Sequence, residues 1–289
     1  MMANKTVHSL SIVIPAKNEG NTIGDVVGKA RTCFPDAEVI VVDDGSSDNT
    51  AQVSESAGAH VIRHPESLGN GAAIKTGARA ANGTLLAFMD ADGQHDVKDL
   101  LALLEKLDHG YGMVVGSRES RGHANAGRLV ANGFYNKFAS VITGHPIPDL
   151  TSGFRVARST PFKQFLYLLP NGFSYPTTST MAFLRSGYPV GFVQINANKR
   201  VGKSHIRPLR DGVRFFVIIF KVATLYAPLK VFLPASAAFF VTGLANYMYT
   251  YITAERFTNM SLLLFSASVI VFLIGLISEQ ITALMYSKS

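Results

Sequence analysis

The chain has 289 residues, enough for one full-sized domain and a small appendage. Hydrophobic residues make up 47% and the mean hydropathy is +0.20, high for a wholly soluble protein. The single Cys33 excludes an internal disulfide framework and fits a reducing compartment. The formal charge of +7 is concentrated: Lys199, Arg200, Lys203, Arg207, Arg210, Arg214, Lys221 and Lys230 face one acid, Asp211.

In chain order, residues 1–10 are polar and lack the apolar run of a secretory signal. Residues 10–15 (LSIVIP) read as a buried strand. A helix follows over 22–32, with Ile23, Val26, Val27 and Ala30 on one face. A second strand is expected at 38–42 and a second helix at 48–57, where Asp48 can cap the free amides of the first turn. A third strand (60–63), a helix (72–81), a fourth strand (85–89), a helix (97–107) and a fifth strand (113–116) complete the pattern. Strands alternating with helices of this length predict an α/β fold, a mostly parallel sheet flanked by helices.

Past residue 231 the composition changes. Up to residue 287 the only charged residues are Glu255, Arg256 and Glu279. Two apolar runs, 231–253 and 260–278, are each near the ~20 residues a helix needs to cross a bilayer. Buried core helices are the alternative, but such helices seldom run this long without a polar face. The basic stretch before the first run places the bulk domain and both termini on the cytoplasmic side. Its position favours anionic lipid head groups over nucleic acid. Residues 209–228 mix Arg210, Arg214 and Lys221 with Phe215, Phe216, Ile218, Ile219 and Phe220, as a helix lying in the interface does. The expected organisation is therefore a catalytic domain at 1–205, a basic juxtamembrane segment at 206–228 and a two-helix hairpin at 229–289.

Three polar clusters each follow a strand: Pro15-Ala16-Lys17-Asn18-Glu19, Asp43-Asp44-Gly45-Ser46-Ser47-Asp48 and Asp90-Ala91-Asp92-Gly93-Gln94. In a parallel sheet these ends share one edge, where ligands bind. Two carboxylates one residue apart, with the Gln94 amide oxygen beyond, are hard ligands suited to Mg²⁺ or Mn²⁺. Gly69-Asn70-Gly71 is no dinucleotide fingerprint, because Ile74 stands where the third glycine belongs. The eight histidines show no zinc spacing, and His95 is expected to pack near the acidic loop without ligating.

The ordered set IVIPAKNEG (12–20), VIVVDDGSSDNT (39–50), LGNGAAIKTGARAANG (68–83), DADGQH (90–95), VGSR (115–118) and DLTSGFR (149–155) resembles the inverting glycosyltransferases of the GT-A fold. The dolichol-phosphate mannose synthase branch, with its bacterial polyprenyl-phosphate relatives, is the nearest in pattern. The resemblance implies that Pro15, Lys17 and Glu19 line a donor nucleotide and that Val42 and Asp44 close over its base and ribose. Lys17 stands where relatives often carry Tyr. Asp90, Asp92 and Gln94 would hold the metal on the donor diphosphate, and Arg200 and Lys203 would form a basic loop over it. For a polyprenyl or dolichyl phosphate acceptor the resemblance implies arginines near the sugar: Arg118, Arg128 (with Arg121 competing) and Arg155. Asp149 and Ser152 would shape that pocket, and Phe154 is core. The implied catalytic set is Asp92, Arg118, Asp149 and Arg155.

The implied reaction moves a hexose, with inversion, from UDP-glucose or a GDP-mannose-type donor to the lipid phosphate. A processive polysaccharide synthase would need a QxxRW motif, and this chain has no Trp. A non-catalytic membrane scaffold has no chemical use for the acidic pair. A homo-oligomer is left open.

Overall fold

The computed structural model describes residues 9–118, 126–172, 174–195, 220 and 223–286. The chain divides into two compact units, Met1–Ile206 and Arg207–Ser289.

The first unit is a seven-stranded sheet in the order β3-β2-β1-β4-β6-β5-β7. Its strands are β1 (Leu10–Ala16), β2 (Glu38–Asp43), β3 (His60–Arg63), β4 (Leu85–Phe88), β5 (Met113–Arg118), β6 (Arg155–Arg158) and β7 (Val190–Ile195). Strands β1 to β4 pair in parallel, as does β5 with β7, while β6 runs antiparallel between β4 and β5. The helices are α1 (Ile23–Cys33), α2 (Thr50–Ser56), α3 (Asn70–Ala80), α4 (Asp99–Asp108), α5 (Ala126–Thr143), α6 (Ser159–Gln164) and α7 (Tyr175–Arg185). All five expected strands form. β6 and β7 were not expected: RVAR has a charge at each end and VGFVQI is broken by Gly191, so neither shows an apolar run. Helix α2 begins two residues later than the sequence suggests. Asp48 still accepts the amide of Thr50 at 3.0 Å, so it serves the first turn from outside it.

The core lies under β1, β2 and β4, where Ile12, Ile14, Val39, Val41 and Ala87 meet Ile23, Val26 and Val27 of α1 and Leu100, Leu103 and Leu107 of α4. Strand β1 leads to β2 and β3 on one side and meets β4 on the other. The order therefore reverses between β1 and β4, which opens a crevice at their carboxyl ends.

Glycines 69 and 71 serve packing. Gly69 has φ +103°, and a Cβ on Gly71 would lie 2.0 Å from the carbonyl oxygen of Pro170. The amides of Gly71 and Ala72 donate to the carbonyls of Gly172 and Asn171, so the start of α3 is capped by the segment before α7.

The second unit contains α8 (Pro228–Ala254) and α9 (Asn259–Tyr286), both long and apolar enough to cross a membrane. At 27 and 28 residues each is about 40 Å long, against a hydrocarbon core of about 30 Å. Their seam is made of small residues. Ser261, Ser268, Gly275 and Thr282 recur every seven residues along α9 and are buried, and Ser236 and Gly243 answer from α8. The Ser236 and Ser268 hydroxyls donate to each other's carbonyls at 2.9 and 3.0 Å. Such contacts bring helices together in lipid, where hydrophobic burial gives no drive. Leu233, Val241, Leu263, Ile270 and Ile277 point outward. The interfacial helix expected before this hairpin lies almost wholly outside the described residues.

Two glycine substitutions should act with opposite signs in thermal unfolding of the detergent-solubilised protein. Gly71→Ala drives a methyl into backbone and should cost about 1–3 kcal/mol. Gly28→Ala, on α1 with open space around it, should gain up to about 1 kcal/mol.

Candidate active site

Three turns gather at the β1/β4 reversal, and side chains knit them together. The Asn18 amide donates to Ser46 Oγ at 2.9 Å, and Asn18 Oδ1 accepts the Ser47 amide at 2.9 Å. The Glu19 amide donates to Thr50 Oγ1 at 2.9 Å. Asn18 takes φ +56°, a left-handed turn that Asn tolerates. Thr22 Oγ1 donates to the carbonyl of Ala91 at 2.9 Å and ties the first turn to the acidic loop. The clusters that the sequence places at strand ends are thus joined in one crevice. Lys17 is exposed, and Pro15 and Glu19 are half-buried.

Asp44 is held by protein donors. It is 4% exposed, and its carboxylate accepts His64 Nδ1 (2.8 Å), Ser67 Oγ (2.8 Å) and the amides of Leu68 (2.8 Å) and Gly69 (2.9 Å). Burial opposes its charge, but the bonds from His64, Leu68, Ser67 and Gly69 outweigh it and hold the carboxyl below its ordinary value. The carboxylate is therefore occupied by protein donors and organises the β3–α3 loop. Val42, at the end of β2, is fully buried and packs against Gly77 of α3. Asp43, in the second polar cluster but given no role by the sequence, stands in register with Arg63 at the carboxyl ends of β2 and β3. Asp43 Oδ2 is buried without a hydrogen bond, with Arg63 Nε 3.3 Å away and more than half of the arginine side chain exposed.

In the acidic loop, Asp92 Oδ1 accepts the Gln94 amide at 3.1 Å and Gly93 turns the chain at φ +70°. Asp90 is 41% exposed, and its carboxylate rests on Gly153, where an added Cβ would lie 3.3 Å from both oxygens. His95 is buried and stacks on Phe154 with centroids 4.8 Å apart, its Nε2 4.0 Å from Asp90 Oδ2. Burial first, then the charge of Arg118, lowers its pKa to about 4 against the pull of Asp92 and Asp149. His95 is therefore neutral at pH 7. Phe154 is core, as expected.

Among the described residues no three His, Cys, Asp or Glu side chains gather into a metal cage. Asp90 and Asp92 still fit Mg²⁺ or Mn²⁺, since such ions are commonly held by one or two carboxylates with water and substrate phosphates completing the shell.

Arg118 leaves the end of β5 and donates to Asp149 from Nε at 2.9 Å and to Thr151 Oγ1 at 2.9 Å. Burial opposes the charge of Asp149, but Arg118 and Thr151 hold its carboxyl below the usual range. That makes Asp149 a weak base and a firm support for Arg118. Arg155 and Ser152 were expected to meet the acceptor phosphate, yet both are fully buried. The Arg155 guanidinium bonds Pro176, Ser179, Thr180 and Ser152. Arg128 belongs to α5, but its side chain, like Arg121, Arg200 and Lys203, lies outside the described residues.

A mostly parallel sheet flanked by helices, with a carboxylate-bearing loop at its switch point, is the architecture of the GT-A fold. Glucosyl-3-phosphoglycerate synthase of Mycobacterium tuberculosis, crystallised with Mn²⁺, UDP and glucosyl-3-phosphoglycerate, shares that fold. Its TM-score is 0.60 at 21% identity, covering 75% of this chain and 79% of that one. Residues 11–166 match Glycosyl transferase family 2, and residues 227–284 match the GtrB C-terminal hairpin. Glycosyltransferase AglJ of Haloferax volcanii is 30% identical over 250 residues, 84% of this chain and 82% of the relative. Polyprenol monophosphomannose synthase of Mycolicibacterium smegmatis is 28% identical over 228 residues, 73% and 84% respectively. The chain belongs to glycosyl transferase family 2.

Gly153→Ala should displace the Asp90 carboxylate, and titration with Mn²⁺ followed by electron paramagnetic resonance should show affinity reduced by about tenfold or more. Unchanged affinity would remove Asp90 from the ligand set.

Proposed function

We propose that the chain transfers a hexose from a nucleoside-diphosphate sugar to a polyprenyl or dolichyl phosphate, with inversion, at the cytoplasmic face of a membrane. The observation that carries this reading is the Asp90–Gln94 loop at the β1/β4 reversal in a chain that also has two membrane-length helices. The polyprenol monophosphomannose in the name of the mycobacterial relative supports a lipid phosphate as acceptor. The Mn²⁺ and UDP named with the solved synthase support a divalent ion and a UDP-type donor, and a GDP-mannose type remains the second donor class.

In this reading Pro15, Lys17 and Glu19 line the donor nucleotide, with Asp43 and Arg63 beside them. Asp90, Asp92 and Gln94 hold Mg²⁺ or Mn²⁺, which when bound supplies positive charge to the departing nucleoside diphosphate. Arg200 and Lys203 add basic charge over the same group. Arg118, partly exposed and held by Asp149, meets the acceptor phosphate, and Arg128 is the second candidate for that phosphate.

A phosphate monoester is already anionic near pH 7, with a second pKa near 6, so attack on the anomeric carbon needs no strong base. The low basicity of Asp149 is no obstacle. Charge stabilisation and orientation are the main demands. The hairpin tethers the catalytic unit to the surface where the lipid phosphate lies, among membrane lipids and without nucleic acid.

Membranes carrying the protein, given Mg²⁺, labelled UDP-glucose or GDP-mannose and polyprenyl phosphate, should yield a short, acid-labile labelled lipid. Label in a polymer would sink the reading. Asp92→Ala should cut turnover at least about a hundredfold, since several kcal/mol of charge stabilisation is lost, while the protein stays in the membrane. The face of the membrane can be read from Cys33, the single thiol, which is partly exposed. A membrane-impermeant maleimide should label it in inverted vesicles and spare it in intact cells; the opposite pattern would reverse the orientation.

A further inference from the structure

Among the described residues Arg155 is the largest side chain with no exposure to solvent. Nη1 donates to the carbonyl of Pro176 (2.8 Å), to Ser179 Oγ (2.8 Å) and to Thr180 Oγ1 (3.1 Å), and Nη2 to the carbonyl of Ser152. Among the described residues no carboxylate bonds it. Burial lowers its pKa to about 10, with Tyr175, Asp149 and Asp90 acting against that fall, so it remains a cation at neutral pH. A buried ion held by neutral dipoles is costly, and an apolar side chain would fill a strand position at less cost.

What the guanidinium does is join two pieces of chain. On one side are the first turns of α7. On the other is the turn 149–153, which carries two crevice contacts. Its Asp149 holds Arg118, and its Gly153 is the platform under the Asp90 carboxylate. Tyr175 reinforces the joint from the same helix, its hydroxyl donating to the carbonyl of Gly153 at 3.1 Å. Thr177 extends it to α5 by accepting from Tyr135 Oη at 2.9 Å.

We infer that Arg155 is a positioning residue whose guanidinium fork locks the 149–153 turn to α7 and thereby sets where Asp90 and Arg118 stand. The inference rests on the sugar-transfer reading above, and it removes Arg155 from the groups that touch phosphate. Lysine cannot replace it, because one ammonium cannot span acceptors on two segments in a fixed plane.

The test uses the full-length protein in detergent, with Mn²⁺ and UDP or GDP as probes. Ser179→Ala deletes one acceptor of the fork at a residue 1% exposed, which touches no ligand. It should melt within a few degrees of the parent yet bind Mn²⁺ in the presence of UDP or GDP about tenfold more weakly, the scale on which supporting partners of metal ligands act. Its KM for the lipid phosphate should change less than its metal requirement. Arg155→Lys should move the same quantities further; if it does not fold, Ser179→Ala decides. Lost thermal stability with parental Mn²⁺ affinity would show a merely structural role and overturn the inference. A selective rise in the acceptor KM would return Arg155 to the phosphate site and overturn it as well. A parent protein that binds no Mn²⁺ with either UDP or GDP would defeat the sugar-transfer reading itself, and the inference with it.

Discussion

The carboxylate of Asp44 accepts four hydrogen bonds from residues 64–69, and much of the crevice is built around that clamp. A parallel sheet delivers every strand to the same edge but leaves the emerging loops without ladder partners. Here a buried charge supplies the missing order. The anion is stabilised by His64, Ser67 and two backbone amides, and it fixes the path of chain into α3. His64 passes the constraint on through its Nε2, 3.0 Å from Thr76 of α3. The close glycine contacts of α3 with residues 170–172 depend on that path, and α7 follows directly from there.

The crevice balances charges of opposite sign. Asp90, Asp92 and Asp149 are faced by Arg118 and, from beneath, Arg155, while His95 contributes an uncharged ring stacked on Phe154. Arg118 is kept protonated by its bond to Asp149 and by the fields of Asp149, Asp90 and Asp92, which together overcome its burial. Such an arrangement suits two anionic substrates. In the proposed reaction the carboxylates would collect a divalent cation for one of them, and the Arg118 guanidinium would meet the other.

The hairpin is governed by a different solvent. Serine and glycine at seven-residue intervals let α8 and α9 approach closely, and the reciprocal Ser236–Ser268 bonds satisfy hydroxyls that hydrocarbon would leave bare. Large apolar side chains turn outward, the reverse of the catalytic unit.

The sequence by itself determined the strand–helix alternation, the five parallel-type strands, the three polar clusters at strand ends and the two long apolar helices. Each is written in local periodicity or in residues adjacent along the chain, which short-range physics reads directly. Strands β6 and β7 escaped because they are held by pairing with strands distant in sequence, β6 between β4 and β5 and β7 on the far side of β5: β6 places a charged Arg155 at zero exposure, which no hydrophobic pattern announces. The roles of single side chains were decided by tertiary structure for the same reason. The hold of the β3–α3 loop on Asp44, the packing of Val42 on α3 and the bonds of Arg155 to α7 depend on partners between 20 and 35 residues away. Residue type told which chemistry the crevice holds. Only packing told which of those groups stand free to perform it.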